Sequence, residues 1–107
     1  MIEGVQRSIR QMGFVVDGTG TASITSGSTQ GTLVDNGTGD YTLTFSDVYE
    51  RAPIVVVTPV TADVNCNIDA VSASAVSITC FDSTDGTTAK DADFHMIVMG
   101  YDAVEEL

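Results

Sequence analysis

The side chains best suited to acid–base, nucleophilic or metal chemistry are few: one histidine, His95, and two cysteines, Cys66 and Cys80. A Ser-His-Asp site needs its base in a cleft beside a free nucleophile. His95 lies instead within Phe94-His-Met-Ile-Val-Met-Gly-Tyr101, the most apolar run of the chain, so we expect a packed or interface histidine. Two cysteines and one histidine at these separations match no zinc spacing. Asp17-Gly-Thr-Gly-Thr-Ala carries the first two glycines of a phosphate loop, but neither the third nor a following helix, and reads as a turn. Asp82-Ser-Thr-Asp85-Gly86, with Asp91 and Asp93 beyond it, resembles half of a calcium loop. It lacks the alternating acids and the closing Glu, and reads as a solvated loop. Fifteen acids offer many carboxylate pairs, but glycoside hydrolysis also calls for a deep cleft with aromatic platforms, and the chain has no Trp and three Tyr. We expect no enzyme: no catalytic residue, no metal and no cofactor.

Two segments that must be positioned by the rest are apolar on both alternating faces. One is Ala52-Pro-Ile-Val-Val-Val-Thr-Pro59; the other is Phe94–Tyr101, where Phe94, Met96 and Val98 point one way and His95, Ile97, Met99 and Tyr101 the other. A half-buried strand needs only one apolar face. Strands apolar on both faces belong to helix-covered parallel sheets, and this chain has too little helical pattern to cover a sheet. The second face therefore calls for another subunit, and Ile54, Val56, His95, Ile97, Met99 and Tyr101 are the candidate oligomer contacts.

Most of the remaining chain alternates with a period of two between turn signals. Phe14–Val16, Ala22–Thr25 and Thr32–Val34 are short strands, followed by the turn Asp35-Asn-Gly-Thr-Gly-Asp40. Tyr41, Leu43 and Phe45 alternate with Thr42 and Thr44, which predicts a strand with one wet face. Pro53 and Pro59 bracket the strand Ile54–Thr58, as expected of residues without a ladder donor. Val64–Val71 and Ala75–Phe81 predict a hairpin turning about Ala73, which places Ile68 opposite Ile78 and Cys66 opposite Cys80. That register lets the cysteines touch across the ladder; the chain shows no secretory signal, however, so it is expected to be made in a reducing cytoplasm, and the favoured reading keeps both as small buried thiols, a disulfide being the alternative. About six to eight such strands predict an all-β fold, an antiparallel β-sandwich.

The N-terminal residues read differently. Ile2, Val5, Ile9 and Met12 recur at spacings of three and four, a helical stripe that Gly13 could end; an extended arm lying on a partner and a frayed terminus are the alternatives. Residues 1–12 carry Glu3, Arg7 and Arg10, whereas residues 13–107 carry fourteen acids against Arg51 and Lys90, within a formal net charge of −11. The expected division is an arm over 1–13, a short helix or extended segment, and a sandwich domain over 14–107. The arm would anchor the protein through Ile2, Val5, Arg7, Ile9, Arg10 and Met12. The acidic body argues against nucleic acid or an anionic membrane as partner, and no run reaches the ~18 apolar residues of a membrane span.

Four stretches carry a resemblance: Gly37-Thr-Gly-Asp-Tyr-Thr-Leu-Thr-Phe45, Arg51-Ala-Pro-Ile-Val-Val-Val-Thr-Pro59, Val76-Ser-Ile-Thr-Cys-Phe81 and Phe94–Tyr101. In order and type, over about residues 37–101, they resemble small β-sandwich modules of tailed-bacteriophage virion proteins, of the fibre-tip and head-appendage kind. The strand order is also similar to the H-type lectin fold, an antiparallel sandwich that trimerises. H-type lectins carry a Trp in the last strand, and Phe94–Gly100 has none, which argues against sugar binding of that type. The resemblance implies a homotrimeric, non-enzymatic structural protein of a phage virion, made in the host cytoplasm. It would be a capsid decoration or head-appendage protein whose partners are its own copies and other virion proteins such as the major capsid protein. The alternative is a tail-fibre-tip or lectin-like module that binds a receptor or cell-surface glycan.

Overall fold

A computed structural model describes residues 8–102. Eight strands follow one another: β1 (Ile9–Asp17), β2 (Ser23–Ser26), β3 (Gly31–Gly37), β4 (Asp40–Phe45), β5 (Ile54–Pro59), β6 (Val64–Val71), β7 (Ala75–Asp82) and β8 (Phe94–Tyr101). They form two four-stranded sheets, ordered β2-β1-β8-β5 and β3-β4-β7-β6, and every pairing is antiparallel. The expected all-β antiparallel sandwich is the observed fold.

The core lies between the sheets and follows from strand alternation. From the first sheet come Met12, Phe14 and Val16 of β1 and Phe94, Met96 and Val98 of β8; from the second come Tyr41, Leu43 and Phe45 of β4 and Val76, Ile78 and Cys80 of β7. Val55 and Val57 of β5 pack against this set at its margin. Aromatic rings add directed contacts: Tyr41 and Phe94 sit with centroids 5.4 Å apart and tilted planes, and Phe45 meets Tyr49 edge-on at the same 5.4 Å. Such pairs prefer offset or edge-to-face geometry because the ring faces are negative and the edges positive.

The β6–β7 hairpin has the register expected from the sequence, with Ile68 opposite Ile78 and Cys66 opposite Cys80. The cysteines differ from expectation. They are joined as a disulfide across the ladder, with Cα atoms 4.1 Å apart. Register wins over the compartment reasoning here: directly opposed strand residues bring their side chains within bonding reach.

The N-terminal expectation needs a larger correction. Among the described residues there is no helix, and β1 runs through the boundary expected at residue 13. Ile9 pairs with Tyr101, Arg10 with Gly100, Met12 with Val98 and Gly13 with Ile97. Met12 is a core side chain and Gly13 continues the strand. Backbone pairing to β8 supplies what an isolated short helix lacks. Ile2, Val5 and Arg7 lie outside the described residues.

Because β8 is an interior strand of its sheet, its inward face tolerates no charge. Val98 is fully buried, and an unpaired carboxylate there costs several kcal/mol. We expect Val98→Asp to abolish the cooperative thermal transition. A folded variant with unchanged melting, followed by circular dichroism, would refute the assignment of inner and outer faces.

Candidate interaction surface

The outer faces of the two sheets differ in chemistry. The β3-β4-β7-β6 sheet turns Thr32, Asp40, Thr42, Thr44, Ser77, Thr79, Asn65 and Asn67 away from the core, with the exposed Val34 and the half-buried Phe81 among them. The β2-β1-β8-β5 sheet turns out an apolar array. Its cross-strand rows read Ile9–Tyr101, then Gln11–Met99–Ile54, then Gly13–Ile97–Val56, then Val15–His95–Thr58. Ile54 is 65% exposed, Val56 55% and Ile97 50%. No carboxylate, Lys or Arg stands in these rows. The candidate oligomer contacts Ile54, Val56, His95, Ile97, Met99 and Tyr101 thus all lie on one face of one sheet.

Three neighbours on that face were missed by sequence reasoning: Gln11, Gly13 and Val15, all from β1. Ile9, expected as an anchor residue, belongs to it too. Their signal was present in the alternation of Ile9, Gln11, Gly13 and Val15 with Arg10, Met12, Phe14 and Val16. At the Tyr101 end, the face runs into an open groove of about 460 Å³ lined by Ile9, Glu50, Arg51, Ala52, Pro53, Ile54, Met99, Gly100 and Tyr101.

Polar side chains gather instead at the two ends of the sandwich, where they hold segments together. At one end the Arg10 guanidinium pairs with the Asp102 carboxylate at 2.7 Å, donates to the Asp47 carbonyl at 2.6 Å, and lies 4.1 Å from the centre of the Tyr49 ring. Tyr49 in turn donates to the Arg10 carbonyl at 3.3 Å. Arg10 was expected to anchor the protein; it instead finds a carboxylate and a backbone carbonyl within its own chain. An ion pair this accessible is worth roughly 1 kcal/mol or less.

At the other end the fully buried Tyr41 hydroxyl receives a hydrogen bond from the Ala92 amide at 3.3 Å. Its proton faces two acceptors, the Gly18 carbonyl at 2.9 Å and the Asp91 carboxylate at 3.1 Å. Asp91 also accepts from the Gly39 amide at 2.9 Å, and Asp93 accepts from the Gly18 amide at 3.1 Å. A side chain at Gly18 would collide with the Ala92 carbonyl and the Tyr41 hydroxyl. Gly39, at φ +65°, has the left-handed backbone the β3–β4 turn requires. Burial, followed by the nearby Asp91 carboxylate, pushes the Tyr41 phenol up to about 12.

The acidic 82–93 loop consumes its own charges. Asp82 accepts from the Thr84 amide and hydroxyl at 2.9 and 2.7 Å. Asp85 accepts from the Thr88 hydroxyl at 2.6 Å and from the Thr87 and Thr88 amides. Hydrogen bonds from Thr88 and then Thr87 hold Asp85 down at about 2, and those from Thr84 lower Asp82. Asp17 is lowered in the same way by Thr19. Among the described residues no three His, Cys, Asp or Glu side chains gather as metal ligands, and His95 stands exposed on the apolar sheet face between Val15 and Thr58.

No family model, curated protein or solved structure matches the chain.

Two outcomes follow from the polar ends. Tyr41→Phe leaves the Ala92 amide and the Gly18 carbonyl without their buried partner, and should cost about 1–3 kcal/mol in urea unfolding; an unchanged midpoint would remove the hydroxyl from the structural account. The pH dependence has two sides. A phenol whose folded-state pKa is raised favours its neutral form, so stability should fall as pH rises from about 10 to about 12. Carboxyls whose folded-state pKa is depressed contribute above their ordinary value near 3.8. That contribution should fade as pH falls toward about 2. Melting temperature against pH measures both, and a flat profile on either side would contradict the corresponding contact.

Proposed function

We propose that the protein is a non-enzymatic structural component of a bacteriophage virion, a homotrimeric capsid decoration or head-appendage protein. The observation that carries this reading is the uncharged apolar sheet face on an otherwise acidic sandwich. Soluble monomers rarely leave so large a continuous apolar patch uncovered, and closed cyclic symmetry is the common way to bury one. The resemblance of residues 37–101 to phage virion modules supplies the setting. The acidic remainder suits a particle-borne protein that must stay soluble and avoid random contacts. Attachment to the particle falls in this reading to Ile2, Val5 and Arg7, because Arg10 and Met12 are spent inside the sandwich.

The groove beside Tyr101, Arg51 and Glu50 favours a second reading, a tail-fibre-tip module that binds a receptor glycan. An exposed aromatic ring next to charged hydrogen-bonding groups has the chemistry to seat a sugar.

Mass spectrometry of purified particles and a glycan array separate the two. The first reading expects the protein in particles at a fixed copy number and no glycan bound. Absence from particles would overturn it. A glycan bound by the wild type and lost in Tyr101→Ala would replace it with the second.

A further inference from the structure

Gly13 stands midway along the β1 side of the apolar face, between Gln11 and Val15 and opposite Ile97 on β8. A Cβ built at Gly13 meets nothing within 4 Å. Among the described residues nothing therefore requires a glycine there: its backbone is ordinary extended strand, and a β-branched residue would suit the ladder better. The result is a notch one side chain deep, walled on one side by Ile97 with Val56 beyond it.

The surrounding charge narrows what can fill it. The face carries no carboxylate, Lys or Arg in its four rows, while the chain as a whole has a formal net charge of −11. A basic partner would be drawn to the acidic remainder and would find no counter-charge on this face. A second copy carries the same acidic remainder, so it can approach without like-charge repulsion where both faces are free of carboxylates, as in these rows.

We infer that the outer face of the β2-β1-β8-β5 sheet is where copies of this chain pack on one another, with the notch over Gly13 receiving an aliphatic side chain of the neighbouring copy. Ile97, Val56 and Ile54 are the side chains of suitable shape on the same face. The inference rests on the self-association part of the reading above and is independent of the virion setting. It also assigns Gly13 a purpose that the fold does not: a glycine kept for a neighbour.

Sedimentation velocity and equilibrium on four proteins test it, with circular dichroism confirming the fold of each. The wild type should be an oligomer. The double variant Ile97→Thr/Val56→Thr keeps β-branched strand formers and removes apolar surface; it should be folded and dissociate at least about tenfold more readily. Gly13→Val should fold with a melting temperature, measured at a concentration where both proteins are monomeric, no lower than wild type. It should nevertheless weaken association by a similar factor. Thr44→Ser, on the outer face of the other sheet, should associate as the wild type does. A monomeric wild type at micromolar concentration overturns both the inference and the homotrimer. An oligomeric wild type whose association the double variant leaves unchanged overturns this face while leaving the homotrimer standing. Unchanged association of Gly13→Val overturns the notch. Particle composition plays no part in these readouts, so the virion reading stands or falls separately.

Discussion

The period-two alternation of β8 constrains more of this molecule than any other interaction. β8 lies between β1 and β5; all eight of its residues pair with β1, and Phe94–Met99 pair with β5 as well. Setting Phe94, Met96 and Val98 into the core forces His95, Ile97, Met99 and Tyr101 outward, because a one-residue slip would exchange the two sets. The same register then aligns β1 and β5, so Met12, Phe14 and Val16 join the core, and Gly13 and Val56 flank Ile97 on the outside. Core and outer face are two consequences of one pairing. A change that shifted it would damage both.

The ends of the sandwich are closed by polar contacts that sheet pairing alone cannot provide. Tyr41 places a large ring in the core against Phe94 and leaves its hydroxyl among the Gly18, Asp91 and Ala92 groups. One side chain thereby joins the β1–β2 turn and the approach to β8 to the second sheet. Tyr49 has the corresponding place at the opposite end, packing on Phe45 while Arg10 covers its ring. The Asp-Thr pairs of the 82–93 loop are local by contrast. They satisfy turn amides within two or three residues.

Much of this arrangement was legible in the sequence, and the failures have physical causes. Strands with one wet face, such as Tyr41–Phe45, announce themselves by alternation. The β6–β7 register followed from matching opposed pairs about Ala73. β1 was misread because a strand apolar on both sides can imitate a helix: Ile9 and Met12 are three apart, which puts them on one face of a helix but on opposite faces of a strand. Gly13 deepened the error, since a glycine after an apolar stripe resembles a helix stop. The cysteines were misjudged because a compartment rule describes where disulfides persist, whereas register decides which thiols can meet. The candidate contacts on β5 and β8 could be named from sequence. What makes Val98 the inner residue and Ile97 the outer one is not local, however: the opposing sheet decides it.

The contrast between the two outer faces carries the last step. Both sheets bury one face against the other, so the fold needs nothing apolar on either outside. The β3-β4-β7-β6 sheet largely follows that economy with Thr, Ser and Asn, Val34 and Phe81 excepted. The β2-β1-β8-β5 sheet departs from it along three consecutive strands, and along β5 it keeps Ile54 and Val56 exposed where Thr would pair equally well. Scattered exposed aliphatics need no explanation. Aligned rows of them, free of charge in an acidic chain and flanked by a glycine the strand does not require, are the observation on which the proposed packing of copies rests.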